Sequence, residues 1–294
     1  MKPRSGFVSI IGKPNVGKST LLNRLIGEKL AAVSRKPQTT RQTVRGILSE
    51  PRGQIVFLDT PGIHSPKDSL GERMMAACKA NYAQADLIFW MVFPSLPDQA
   101  EKDIYENLKK TNKPILLLIN KVDAVPKPNL LPVLSAYQQF SGLAALFPVS
   151  AAEGDNVAEL LVKVFELLPE NPPLFPEDIT SDQTERFIAS EIIREKIFRF
   201  TGEEIPYASA VEITDFKERS EKLVVIEATI FVEKASQKKI VIGAGGQMIK
   251  KIGEEARRGL ENFLGKKVFL QLLVKERANW KKDDEFLNRL FEPT

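Results

Sequence analysis

Two glycine-rich stretches hold residues whose types and spacing could do chemistry. The first, GKPNVGKS (12–19), follows an apolar run and precedes a helical pattern, the context in which a glycine-rich loop cradles phosphates. Gly12 and Gly17 let the backbone turn its N–H groups inward, Lys18 supplies a mobile positive charge, and Ser19 at the helix start can hold Mg²⁺. The whole run, with Lys13, Pro14, Asn15, Val16 and Thr20, is assigned to nucleotide binding. DTPG (Asp59, Thr60, Pro61, Gly62) ends another apolar run, where Asp59 can reach the metal through water and the Gly62 N–H can meet a terminal phosphate. NKVD (120–123) ends a third, and Asp123 offers two acceptor oxygens to a base edge with adjacent N–H donors, which guanine has and adenine lacks.

Phosphate loops need a sheet to aim them. Apolar runs at 7–12, 55–62, 85–93, 114–121 and 146–151 alternate with helical patterns near 18–26, 70–83, 98–110, 129–140 and 155–167. That rhythm predicts an α/β domain, an open and mostly parallel sheet with helices on both faces. PENPPLFPEDITSDQT (169–184) carries four prolines and four acidic residues, a density that excludes a helix or a central strand. The expected division is therefore a first domain over 1–170, a linker over 171–184 and a second domain over 185–294. The second half predicts a helix over 185–200, antiparallel strands over 207–216 and 222–232, a helix ending at Leu264, a strand over 267–274 and a short helix near 284–291.

The chain has 294 residues, 43% apolar and 27% charged, which suits two folded domains. One cysteine, Cys78, cannot form an internal disulfide, and no apolar run reaches 18 residues, so the expectation is a protein that stays in the cytoplasm. The net charge of +4 is unevenly placed: Lys234 to Lys282 holds thirteen Lys or Arg against four Glu and no Asp. A solvated surface accounts for half of that excess, and a phosphate-bearing partner would explain its clustering.

Inside this basic region lies the second glycine-rich stretch, VIGAGGQMIKKI (241–252). A dinucleotide site would need a βαβ unit, and the strands before it read as antiparallel. It resembles instead the KH module, in which a GxxG turn joins two helices and clamps single-stranded nucleic acid along its backbone. Gly243, Ala244, Gly245 and Gly246 form that turn, Ile242 and Ile249 flank it, and Lys250, Lys251, Arg257 and Arg258 extend a basic surface. Ala244 replaces the Lys often found there, which removes one phosphate contact. Beyond the last strand, Arg277 is assigned to RNA, and Trp280 fits either base stacking or a seal on the final helix.

The three phosphate and base motifs, each at a strand end, resemble the guanine-nucleotide-binding GTPases. That resemblance implies that Asn120 braces the loops, Lys121 covers the base, and Ser150 and Ala151 of SAAEG belong to a later base-binding stretch. In KPQTTRQT (36–43) it implies a switch threonine on Mg²⁺, Thr40 with Thr39 as competitor. Adding EIPYA (204–208), the GAGG turn and LGKKVFLQLLVK (264–275), residues 5–291 resemble the Era family of bacterial GTPases, an α/β P-loop GTPase domain followed by an α+β KH domain of the prokaryotic type.

Membership implies GTP hydrolysis with Mg²⁺, with Lys18, Thr40, Gly62 and Asn15 in catalysis. It also implies binding to the 3′ end of 16S rRNA during small-subunit assembly, peripheral contact with the inner membrane and action as a monomer. Ile63 follows Gly62 where Ras-like enzymes place a water-orienting glutamine, so slow turnover is expected. The resemblance extends to Asn15 a role in holding K⁺ as an activating ion. His64 reads as a solvated switch residue rather than a base, and Phe93 stands where the family usually has Asp. The alternative reading is a GTP-regulated tether whose basic domain binds an acidic protein or an anionic membrane.

Overall fold

A computed structural model describes residues 2–34, 36, 39–63, 66, 68–202 and 204–291. His64 lies outside them. The chain forms two compact units, one of Met1–Leu30, Thr40–Ser65 and Arg73–Asp182, the other of Ala31–Thr39, Pro66–Glu72 and Gln183–Thr294.

The first unit runs β1 (Gly6–Gly12), α1 (Lys18–Ile26), β2 (Val44–Glu50), β3 (Gly53–Asp59), α2 (Ser69–Gln84), β4 (Leu87–Val92), α3 (Gln99–Lys109), β5 (Ile115–Ile119), α4 (Lys127–Tyr137), β6 (Ala145–Pro148) and α5 (Val157–Leu167). The sheet order is β2-β3-β1-β4-β5-β6. Pairing is parallel from β3 across to β6, while β2 runs antiparallel to β3. Strands buried on both faces are uniformly apolar, as ILLLI in β5 and LIFWMV in β4 show. Because the four central parallel strands share one direction, the ends of β1, β3, β4 and β5 deliver residues 12–19, 59–62, 93 and 120–123 to one edge of the sheet.

The edge strand β2 was not expected from the sequence. The proline-rich stretch covers it: the Ile47 N–H donates to Thr180 O at 2.7 Å, and Phe175 and Ile179 pack on Ile47, Val56 and Leu58. Gln54, fully buried, accepts the N–H groups of Leu174 and Phe175 and donates to Phe175 O. Segment 174–182 thus lacks regular structure yet is held at fixed points, which closes an edge that could otherwise template aggregation.

The second unit contains α6 (Glu185–Phe200), α7 (Ile205–Ala208), β7 (Ser209–Ser220), β8 (Leu223–Val232), α8 (Ala235–Ile242), α9 (Gln247–Leu264), β9 (Lys267–Glu276) and α10 (Asp284–Phe291). Its sheet order is β7-β8-β9, with β7 and β8 antiparallel and β9 parallel to β8. Alternate β8 residues Val224, Ile226, Ala228, Ile230 and Val232 are buried, as a half-covered sheet requires. Helix α6 is buried almost all round, and its buried charged residues pair within the helix: Arg194 with Glu191, and Lys196 with Glu195 at 2.8 Å. Segment 31–39 folds with this unit: the Val33 N–H donates to Glu195, and Lys36 Nζ donates to Phe198 O and Thr201 O at the end of α6.

Candidate functional sites

Helix α1 begins at Lys18, directly after the first glycine-rich loop, so the loop ends on a helix N-terminus whose N–H groups have no intrahelical partner. Gly17 is in a left-handed conformation (φ 110°), and a Cβ there would lie 2.2 Å from Asn120 Nδ2. Lys18 is buried, with Nζ donating to Gly12 O and Lys13 O at 3.2 Å each. Burial pulls its pKa down, and the nearby Asp59 carboxylate opposes that shift.

Three oxygens from three elements meet beside it. Ser19 Oγ lies 2.8 Å from Thr40 Oγ1 and donates to Asp59 Oδ2 at 2.6 Å, and Thr40 Oγ1 lies 3.4 Å from the same oxygen. Asp59 Oδ1 is buried and accepts no hydrogen bond from the described residues. Thr39 Oγ1 donates instead to Lys36 O at 2.7 Å, so Thr40 is the threonine that joins Ser19 and Asp59. Thr60 is tied to Ile10 O, Pro61 O accepts from Cys78 Sγ, and Gly62 lies against Pro14. Burial raises the Cys78 thiol to about 11, so it is a thiol under the loop.

On the other side, Asn120 Nδ2 donates to Val16 O at 2.7 Å while its Oδ1 accepts the Ala151 N–H at 2.9 Å. One buried side chain thus fastens three loops. Lys121 Nζ donates to Asn15 O at 2.7 Å and stands 5.0 Å from the Phe93 ring centroid, so Phe93 presents its ring to a cation. Asn15 and Lys121 both adopt left-handed backbone conformations. Ser150 Oγ donates to Asp123 Oδ1 at 2.6 Å, which orients that carboxylate. Sequence reasoning missed Arg24, whose guanidinium donates to Ala151 O and Ala152 O from α1 and carries no motif signal.

In the second unit, α8 and α9 are joined by the GAGG turn. Gly243 has φ 75° and packs so closely that a Cβ would fall 2.8 Å from the Met248 nitrogen. Ala244 and Gly245 are exposed, and Ile242 is half-buried. Past the turn, Ile249, Lys250 and Arg257 line one groove of about 310 Å³ with Leu270 and Leu272 of β9. The other assigned residues do not join it. Lys251 Nζ sits 4.5 Å from the Phe200 ring centroid, and Arg277 pairs with Asp283 at 2.5 Å and covers the Phe286 ring. Trp280 is fully buried, its Nε1 donates to Ala208 O at 2.9 Å, and its ring meets Phe286 edge-on. Of the two readings of Trp280, its burial fits the seal on α10 and drops base stacking, so Trp280 leaves the set of RNA residues.

Fold and sites together define a P-loop GTPase domain followed by a KH domain. Family models agree: one described as a 50S ribosome-binding GTPase matches residues 7–121, and one described as a KH domain matches residues 204–281. GTPase Era of Geobacter sp. (strain M21) is 48% identical over 97% of this chain and 97% of its own, and that of Ruminiclostridium cellulolyticum 43% over 99% and 98%. The chain belongs to the Era family of GTPases. A crystal structure of Era in complex with MgGDPNP and nucleotides 1506–1542 of 16S ribosomal RNA is similar with a TM-score of 0.94 and 41% identity, covering 98% of each chain. A point variant of Aquifex aeolicus Era bound to GDP.AlF4⁻ is similar with a TM-score of 0.93 and 41% identity, again over 98% of each chain. No helix among the described residues is long and apolar enough to cross a membrane.

Proposed function

We propose that this protein hydrolyses GTP in residues 1–170 and binds single-stranded RNA at the 3′ end of 16S rRNA through residues 185–294, with 171–184 as linker, and so assists assembly of the small ribosomal subunit. One observation carries the reading: a phosphate loop with its metal-type oxygens and a GAGG turn between two helices occur in one chain. The similar Era structure that holds both MgGDPNP and 16S nucleotides supports it.

The first site suits Mg²⁺. Two hydroxyls and a carboxylate converge, and Asp59 keeps a buried oxygen without a donor among the described residues, an arrangement a hard cation with oxygen ligands satisfies. Ser19 and Thr40 would hold the ion directly and Asp59 through water; once bound it would neutralise charge on the β- and γ-phosphate oxygens. Lys18 would leave its two carbonyls for phosphate, the backbone of residues 12–20 and the turn Asp59–Gly62 would line the phosphates, and Asp123 would read guanine, oriented by Ser150 and flanked by Lys121 and Ala151. Thr40 would reach the ion only with the γ-phosphate present. Ile63 cannot orient water, so chemistry rests on Lys18, Thr40, the Gly62 N–H and Asn15, the last holding K⁺ as activating ion. Equal turnover in matched Na⁺ and K⁺ buffers would remove that role for Asn15.

On the RNA side, Ile242, the GAGG backbone and Ile249 would take the strand, with Lys250, Lys251 and Arg257 supplying charge. Arg277 would add to this by way of a surface it shares with Asp283. The basic excess from Lys234 to Lys282 also supports peripheral contact of a cytoplasmic monomer with the inner membrane, testable by sedimentation with anionic vesicles. The deciding experiment titrates a 16S 3′-end oligonucleotide against this protein and its Gly243→Asp, Gly246→Asp double variant, with GTP hydrolysis in parallel. Selective RNA binding lost in a folded variant that still binds GTP supports the reading. No RNA preference in the parent overturns it.

A further inference from the structure

The phosphate loop contains two lysines, and the structure gives them different partners. Lys18 points into the loop, whereas Lys13 turns its ammonium out of it, to Asp98 Oδ2 at 2.5 Å and Glu101 Oε1 at 3.4 Å. Asp98 and Glu101 open α3 as a reciprocal capping box: the Glu101 N–H donates to Asp98, and the Asp98 N–H donates to Glu101 Oε2. Glu101 is 3% exposed by side chain and also accepts from Tyr137 OH at 2.7 Å. A buried carboxylate requires such partners, and Lys13 is its only cation within ion-pair distance among the described residues. At the other end of the same β4–α3 connection, Phe93 faces Lys121, whose ammonium holds Asn15 O. Residues 93–101 therefore meet the phosphate loop directly where Asp98 and Glu101 hold Lys13, and by way of Lys121 at Asn15.

We propose that the β4–α3 connection is a positioning element of the nucleotide site, in which Glu101 and Asp98 fix the phosphate loop through Lys13. The coupling route is short. The Lys13 carbonyl accepts from Lys18 Nζ, so the pinned side chain and the carbonyl that orients the phosphate-binding ammonium belong to one residue. Lys13 beside Asp98 also holds that carboxyl below its ordinary range, as a formed ion pair requires. Lys13 thus serves the site as a strut, and Lys18 is left as the loop's phosphate-facing charge. Glu101 and Asp98 are positioning residues because they act through Lys13.

A double-mutant cycle tests this on the full chain, with a fluorescent GDP analogue for affinity and steady-state GTP hydrolysis. Lys13→Met and Glu101→Gln are each expected to weaken nucleotide binding about tenfold, and the double variant no more than about twofold beyond the weaker single, since the two remove one interaction. The KM for GTP should rise by more than kcat falls, because binding geometry is lost before chemistry. Lys13→Arg, which keeps the ion pair, should stay within about twofold of the parent. Additive losses approaching a hundredfold, an unchanged affinity in either single variant, or an effect of Lys13→Met confined to kcat would overturn the proposal. Should Lys13→Met fail to fold, Glu101→Gln, which keeps the Tyr137 contact available, must by itself show the loss in affinity.

Discussion

Asn120 links Val16 O to the Ala151 N–H through one amide, so it fixes the spacing between the phosphate loop and the base-side loop. Replacing it by Ala strands a buried acceptor and a buried donor, each worth about 1–3 kcal/mol. Asn120→Ala should therefore weaken GDP binding by at least about tenfold, measured by titration with a fluorescent analogue, and a change under twofold would show that the loops hold their spacing without it. Phe93 makes a smaller contribution. Its ring faces the Lys121 ammonium, an interaction of about 0.5–1 kcal/mol at a partly exposed site, so Phe93→Ala should weaken binding about two- to fivefold. Motif residues were legible because each sits where a strand ends, a position set by apolar runs. The partners of those residues were less so: Arg24 and Phe93 lie outside the motifs and meet them only through the fold, and nothing in the sequence marks Asp98 and Glu101 as partners for Lys13.

At the scale of elements, α10 combines a cap with a small core. Asp283 accepts the Phe286 N–H at its N-terminus and pairs with Arg277, while Trp280 and Phe231 pack on Phe286. The Arg277 guanidinium, then the Phe286 N–H, hold the Asp283 carboxyl below its ordinary 3.8. The folded state thus binds this proton less readily than the unfolded state. Its stabilisation is complete above about pH 4 and fades as pH falls through the lower folded value. Asp283→Ala should lower the melting temperature of the second unit at pH 7 by about 2–4 °C, and the gap to the parent should narrow toward pH 2; a constant gap would assign the effect to packing.

The central strands of the first unit were legible because a short, uniformly apolar run bounded by turn residues fits a strand buried on both faces, but VRGILSE in β2 has a glycine near its centre and no clean alternation. Its partners account for it: β3 on one side and, on the other, the proline-rich stretch, whose lack of regular structure was readable and whose anchorage through Gln54 was not.

Over the whole molecule, the chain passes from one compact unit to the other between Thr39 and Thr40. Lys36, three residues earlier, is held by carbonyls ending α6, where burial lowers its pKa; Thr40 joins Ser19 and Asp59. A γ-phosphate that held Thr40 at the metal, as proposed above, would tie the nucleotide site to a stretch of chain whose Lys36 is bonded to the end of α6. We infer that nucleotide and RNA affinities are coupled through this segment, and linkage then requires the coupling factor to be the same in both directions. RNA affinity measured with GDP, a GTP analogue and no nucleotide should differ by about five- to 150-fold between the extremes, with the matching ratio in nucleotide affinity when RNA is added. Lys36→Ala releases the anchor without touching the phosphate loop or the GAGG turn, so it should bring that factor toward one while leaving RNA binding in the absence of nucleotide intact. Identical RNA affinities in all three nucleotide states would dismiss the coupling altogether, and a factor unchanged in Lys36→Ala would place it elsewhere than in segment 31–39.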